Sequence, residues 1–186
     1  MQIISGIFRR RRLSFPKDIR PTQNKIRKAI FDCLGNFVRK SAVLELFAGS
    51  GAVGIEALSC GAREVHFVDN QARCLRLIES NLASLKVTSY ALHKKDSLKA
   101  IDFLSAQGIS FDIIFLDPPY RQDLAKNSLL KISSCDIVTL SGIVVLEHHH
   151  KEELPEREGS LILFKQKRYG DKVLSFYQMK TQLSER

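Results

Sequence analysis

No apolar run in this 186-residue chain approaches the roughly 20 residues that a membrane-spanning helix needs, and the N-terminus, MQIISGIFRRRRL, lacks the order of charge, apolar stretch and cleavage site of a signal peptide. A cytoplasmic protein without membrane contact is expected. Cysteine is sparse. Cys33, Cys60, Cys74 and Cys135 stand far apart with no CxxC pair, which supports neither a disulfide framework nor a zinc site and reads as buried reduced thiols. The run His148-His149-His150 lacks a ligand spacing, because consecutive side chains point different ways, so no metal is expected. No GxSxG or Cys-His arrangement offers a covalent nucleophile. Without internal repeats, low-complexity segments or long linkers, the chain reads as one domain with an ordinary core.

Acidic residues are nearly absent from one end. Residues 1–40 hold eleven Lys or Arg against only Asp18 and Asp32, whereas the other 146 residues hold 18 side chains of each sign, so the net charge of +9 sits in the N-terminal segment. A field that concentrated suits a polyanionic partner bound in a salt-sensitive way; a solvated tail or an anionic-membrane patch is the alternative. Ile3, Ile4, Ile7, Phe8 and Leu13 around Ser5-Gly6 predict a short hairpin or extended arm, outside the core, that carries Arg9, Arg10, Arg11 and Arg12. After Pro16 and Pro21, Thr22 is placed to cap a helix in which Ile26, Ala29, Ile30, Phe31, Leu34, Phe37 and Val38 recur at helical spacing, leaving Lys25, Arg27 and Lys28 for the surface.

From Leu44 to Leu58, LELFAGSGAVGIEAL reads as a buried strand, a glycine turn and a helix, with Gly49, Gly51 and Gly54 at GxGxxG spacing. Such a turn holds a nucleotide-like ligand, glycine keeping side chains off the amides at the helix start. Strands and helices then alternate: strand Glu64 to Val68, helix Gln71 to Leu85, strand Ser89 to Lys94, helix Ser97 to Gln107, strand Phe111 to Leu116, a helix from about Asp123 to Ser133, and strand Ile143 to Leu146. Leu161 to Lys167 and Lys172 to Tyr177 follow as a hairpin joined by a turn at Arg168 to Asp171. This predicts an α/β protein with a Rossmann-like, seven-stranded, mainly parallel sheet, an antiparallel C-terminal hairpin and a ligand beyond the carboxyl ends of the strands. Glu45, Asp69, Asp96 and Asp117 all fall there. Asp69, eighteen residues after Gly51, is placed for a ribose diol, a choice shared by NAD and S-adenosylmethionine, and Asp96 for an adenine amino group or as a helix cap. Asp117-Pro118-Pro119-Tyr120 suits a planar base with an exocyclic amino group: the ring stacks on Tyr120 while the NH2 donates to the Asp117 carboxylate and the Pro118 carbonyl.

In the order RPTQNKIRKAIFDCL, ELFAGSGAVGIEAL, DPPY, IVVLEH and KRYGD, the chain resembles the bacterial methyltransferase family that modifies guanine N2 in 16S ribosomal RNA, the small-subunit methyltransferase D type, over nearly its full length. The resemblance implies S-adenosylmethionine as cofactor, with Gly49, Gly51 and Gly54 around its methionine part, Glu45 near its amino group, Asp69 on its ribose, and Arg20, Pro21 and Thr22 over the pocket. Phe47, Asn70, Asp96 and Ser97 complete the cofactor set, and Asp117, Pro118, Pro119 and Tyr120 form the catalytic set. Arg9 to Arg12, Lys25, Arg27 and Lys28 are assigned to RNA, within an assembling small subunit or outside it, and the protein to a monomer. Lys25 and Lys28 depart from the family, in which an arginine and a glutamate are common at those places. Residues 1–40 would be the RNA-contacting arm and helix of a single domain whose residues 41–186 carry the methyltransferase. The rivals are a DNA adenine-N6 methyltransferase, an NAD-dependent oxidoreductase and a non-catalytic RNA-binding protein.

Overall fold

The computed structural model describes residues 1–15, 23–120 and 123–180. In chain order the elements are α1 (Asn24–Leu34), β1 (Ala42–Leu46), α2 (Ala52–Ser59), β2 (Glu64–Asp69), α3 (Ala72–Ser84), β3 (Tyr90–Lys94), α4 (Ser97–Ala106), β4 (Phe111–Leu116), α5 (Leu124–Ser133), β5 (Val138–His149), β6 (Arg157–Glu158), β7 (Leu161–Tyr169) and β8 (Lys172–Met179). The sheet runs β3-β2-β1-β4-β5-β8-β7-β6, parallel from β3 to β5 and antiparallel beyond. It carries one strand more than the seven predicted. The extra strand, β6, is two residues long and pairs only with β7, too short for any periodicity to mark it. All five residues of β1 are buried, as a strand covered on both faces requires.

Alternate residues feed two cores, as the two-residue period of a strand dictates. Val43, Val65, Phe67, Ile113, Phe115 and Val145 pack with α1, α2 and α3, while Leu44, Leu46, Val68, Ile114, Leu116 and Val144 pack with α4 and α5. No helix among the described residues is long and apolar enough to cross a membrane. Of the four free cysteines only Cys74 is buried; Cys33, Cys60 and Cys135 are half-buried, which corrects the expectation that all four lie inside.

The N-terminal arm differs most from expectation. It forms a tight loop closed by a Gln2–Arg12 bridge, and Ile3 and Leu13 join the core. Glu56, buried on α2, explains the docking: its carboxylate accepts from the amides of Ile4 (3.0 Å) and Ser5 (2.6 Å) and from the Ser5 hydroxyl (2.6 Å). The Ile7 amide adds a bond to the Ser59 carbonyl at 2.8 Å. The arm is therefore part of the folded body, with Arg9, Arg10, Arg11 and Arg12 exposed along its far side.

Helix α1 starts with Gln23 at its N-cap and no side-chain cap, and it ends at Gly35, where the chain tightens into a 3-10 turn through Val38. The expected cap, Thr22, and Arg20 with Pro21 lie outside the described residues. Lys25 and Lys28 are exposed, Lys28 pairing with Asp32 one turn on. Arg27 is not: it is fully buried and donates to the Gln2 carbonyl (2.7 Å) and Asn24 Oδ1 (2.8 Å), with Glu56 3.8 Å away. Arg27 therefore leaves the predicted RNA-facing set and instead ties α1 to the arm.

Candidate active site

The order of the strands reverses between β1 and β4, and there the ends of two strands diverge to leave a crevice. The register Leu46↔Leu116 brings the residues that follow, Phe47 and Asp117, side by side at the carboxyl ends. Above them opens a cavity of about 490 Å³, lined by Phe47, Asp69, Asn70, Gln71, Asp96, Ser97, Leu98, Asp117, Pro118, Pro119, Tyr120, Leu124 and Lys172. That volume falls within the roughly 300–1,000 Å³ of small-molecule sites.

The glycine turn is built from beneath. Phe47, Gly49 and Gly51 all have positive φ (56°, 52° and 68°). For a phenylalanine this conformation costs on the order of 1–3 kcal/mol, a strain that clusters at functional sites, and Phe47 does line the cavity. Gly51 is the left-handed N-cap of α2. Gly54 lets α2 approach the sheet: a β-carbon there would lie 2.4 Å from Phe67 Cε1 and 2.7 Å from Glu45 Oε2. The amides of all three glycines are already engaged, Gly49 donating to Asp69 Oδ2 (2.8 Å), Gly51 to the Ala48 carbonyl (2.7 Å) and Gly54 to Glu45 Oε2 (2.9 Å). The glycines thus shape the floor of the site, and Gly49, Gly51 and Gly54 are not among the residues lining the cavity.

Glu45, expected near a ligand amino group, is placed below the turn and is not among the residues lining the cavity. Its carboxylate accepts from the Val53 and Gly54 amides. Burial pushes its pKa up to about 8 against those two hydrogen bonds, with Asp117 adding to the rise and Arg27 opposing it.

Asp69 holds the turn and faces the cavity at once. Its oxygens accept from the Gly49 and Gln71 amides, both at 2.8 Å, so the β2 end, the turn and the start of α3 are fixed to one group. A carboxylate offers about four lone-pair sites, so two remain for a diol. Asp96 caps α4 by accepting from Leu98 (3.1 Å) and Lys99 (3.2 Å) and also lines the cavity, so both readings of that residue coexist. Asn70 and Ser97 line it as well.

Opposite these acids stands the DPPY segment. Pro118 is buried while Tyr120 is 43% exposed, its ring edge-on to His149 at 5.6 Å. Burial raises the pKa of Asp117, and the Lys172 ammonium pulls it back down. Lys172 was not signalled by any local pattern. It enters from β8, ion-paired with the fully buried Glu147 of β5 and 5.8 Å over the Tyr120 ring. The antiparallel pairing of the IVVLEH strand with the segment after KRYGD is the one signal from which this contact could have been read. The pairing of β5 with β8 also gathers His149, His150 and Asp171, whose ligand-capable atoms lie within 4.8 Å of one another, while His148 turns inward to Ser175 Oγ at 2.8 Å.

The basic surface adjoins this site. Arg9, Arg10, Lys25 and Lys28 line a hollow between the arm and α1, and Lys25 lies 5.5 Å over the ring of Tyr169, three residues before Lys172.

Comparison with known proteins agrees in extent and fold. A family model described as "Conserved hypothetical protein 95" matches residues 1–178. The "Putative rRNA methyltransferase YlbH" of Bacillus subtilis is 34% identical over 180 residues, covering 95% of this chain and 98% of its own. The "Ribosomal RNA small subunit methyltransferase D" of Escherichia coli K12 is 28% identical over 184 residues, covering 98% and 91%. Among solved structures, a putative methyltransferase, yhhF, from Escherichia coli matches with a TM-score of 0.87 at 28% identity, over 98% of this chain and 99% of that one. The expected fold is the one found: a Rossmann-like class I methyltransferase fold.

Proposed function

The chain belongs to the Conserved hypothetical protein 95 family, that of the small-subunit ribosomal RNA methyltransferase D proteins, and from that premise we propose that it is an S-adenosylmethionine-dependent methyltransferase acting on the N2 amine of a guanine in 16S ribosomal RNA. The observation that carries the reading is the pairing of β1 with β4, which brings Phe47, at the head of the glycine turn, and the DPPY segment together on the wall of one cavity. Residues 41–186 form the catalytic part and residues 1–40 its RNA-contacting part, in a cytoplasmic monomer.

The residues present fit the cofactor. Asp69 retains lone pairs for a ribose diol after holding the turn, Asp96 faces the cavity for an adenine amine, and Phe47 supplies an apolar wall. S-adenosylmethionine, when bound, supplies an electrophilic methyl group on a sulfonium centre. On the other side, Tyr120 stacks the base, and the Asp117 carboxylate and Pro118 carbonyl accept the two amine protons, which aims the nitrogen lone pair at the methyl group. Transfer of that methyl group to the amine would leave the nitrogen with a proton to shed, and Asp117 or water would take it. No covalent enzyme intermediate is required.

Two measurements test the parts separately. Calorimetric titration is expected to give saturable binding of S-adenosylhomocysteine and none of NADH; the reverse would favour the oxidoreductase reading. Replacing Arg9, Arg10, Arg11 and Arg12 together with Ala is expected to flatten the slope of log affinity for RNA against log salt by up to about 3.6, four released contacts at roughly 0.7–0.9 each. An unchanged slope would place the RNA elsewhere.

A further inference from the structure

Lys172 opens β8 immediately after the Gly170-Asp171 turn, opposite His149 of β5. Glu147, two residues earlier on β5, is fully buried; its Oε1 takes the Lys172 ion pair and the Tyr120 hydroxyl at 3.5 Å, and its Oε2 has no hydrogen-bond partner among the described residues. The ammonium is mostly buried as well, at 19% side-chain exposure, yet it lines the cavity together with Asp117 and Tyr120. The Glu147 carboxylate thus fixes a normally mobile lysine so that its N–H donors share the wall on which a base would stack.

The directions of the hydrogen bonds decide which base. An ammonium has three donors and no acceptor, whereas an ionised carboxylate has acceptors only. A wall with Asp117 at one point and Lys172 at another is complementary to an edge that offers an amine and a carbonyl oxygen. Guanine has that edge, with N2–H2 as donor and O6 as acceptor. 2,6-Diaminopurine held by its N2 amine presents a second amine at C6, which would meet the ammonium donor to donor, and adenine held by its only amine offers a C2–H there, so in both cases the ammonium is left without a partner. Sites that leave buried polar groups unpaired in this way discriminate far more strongly than apolar pockets.

We propose that Lys172, anchored by Glu147, is a specificity-determining residue that donates to O6 of guanine while Asp117 accepts from the N2 amine. The assignment rests on the reading of the cavity as a guanine site, and it supplies what DPPY alone does not, a reason for guanine over adenine.

The test uses full-length protein and small-subunit RNA carrying either guanine or 2,6-diaminopurine at the methylated position, since both bases have the N2 amine. Wild-type protein is expected to favour guanine by about 100-fold or more in kcat/KM, a ratio that Lys172→Met narrows to about tenfold or less. Lys172→Gln, whose amide both donates and accepts, brings the ratio near unity and provides the comparison should the methionine variant not fold. Binding of S-adenosylhomocysteine stays within about threefold in both. If the variants slow both bases by the same factor, Lys172 is only a counter-ion for Asp117 and Glu147, and the proposal is wrong. If wild-type protein methylates neither N2 amine, the guanine reading itself fails and takes this assignment with it, an outcome visible before any variant is made.

Discussion

Asp117→Asn is expected to lower methyl transfer by about 10²–10³-fold, the usual loss when a single group that orients or stabilises the reacting centre is removed. The substitution keeps the size of the side chain but turns one acceptor into a donor aimed at the amine. S-adenosylhomocysteine should bind within about threefold of the wild-type affinity, because the acids assigned to the cofactor, Asp69 and Asp96, stand on the far wall. RNA affinity should be equally unaffected. Steady-state kinetics with calorimetry on the same samples checks all three; a variant that keeps wild-type turnover removes Asp117 from the chemistry. A pH profile sharpens the test. Asp117 is acceptor-only, and able to take a proton, when ionised, whereas protonation turns one of its oxygens into a donor; burial raises its pKa while Lys172 lowers it. Activity is thus present above that pKa and lost as pH falls through it, and Lys172→Met should move the acidic limb to higher pH.

Glu56→Ala should be the most damaging single change to stability, by about 3–5 kcal/mol, because it removes one partner of a buried ion pair and leaves Arg27 enclosed. The amides of Ile4 and Ser5 lose their acceptor in the same step. For a chain of this length such a loss corresponds to a fall in melting temperature of about 10 °C. Lys28→Ala, which breaks an exposed pair with Asp32, serves as the control and should change stability by no more than about 0.5 kcal/mol. Thermal melts of the two variants side by side decide the matter: equal shifts would mean that the arm is not held through Glu56.

The fold was legible in the sequence where a repeating pattern carried it. Alternation of strands and helices gives the parallel sheet, and the change of habit after Leu161 gives the antiparallel edge, since both follow from local periodicity. The DPPY segment and Asp69 were legible for a related reason: each is tied to the end of a strand that could be recognised. What local patterns did not disclose depends on partners distant in sequence. Glu45 sits at a strand end like the other acids, but only the packing of α2 shows its carboxylate turned beneath the turn. Arg27 reads as surface by its charge, although it stands three residues before Ile30 and seven before Leu34, on the helix's buried stripe, and that spacing could have shown its burial. Lys172 acquires its place only when β8 pairs with β5. In each case the residue type was plain, and its neighbours were set by tertiary register.

The central claim is tested most directly by mass mapping of 16S ribosomal RNA from cells with and without the protein, followed by incubation of the deficient RNA or subunits with purified protein and S-adenosylmethionine. The account predicts one N2-methylguanosine that disappears without the protein and returns on incubation. An unchanged pattern of guanine methylation in its absence, or a methyl group restored to an adenine, would contradict it.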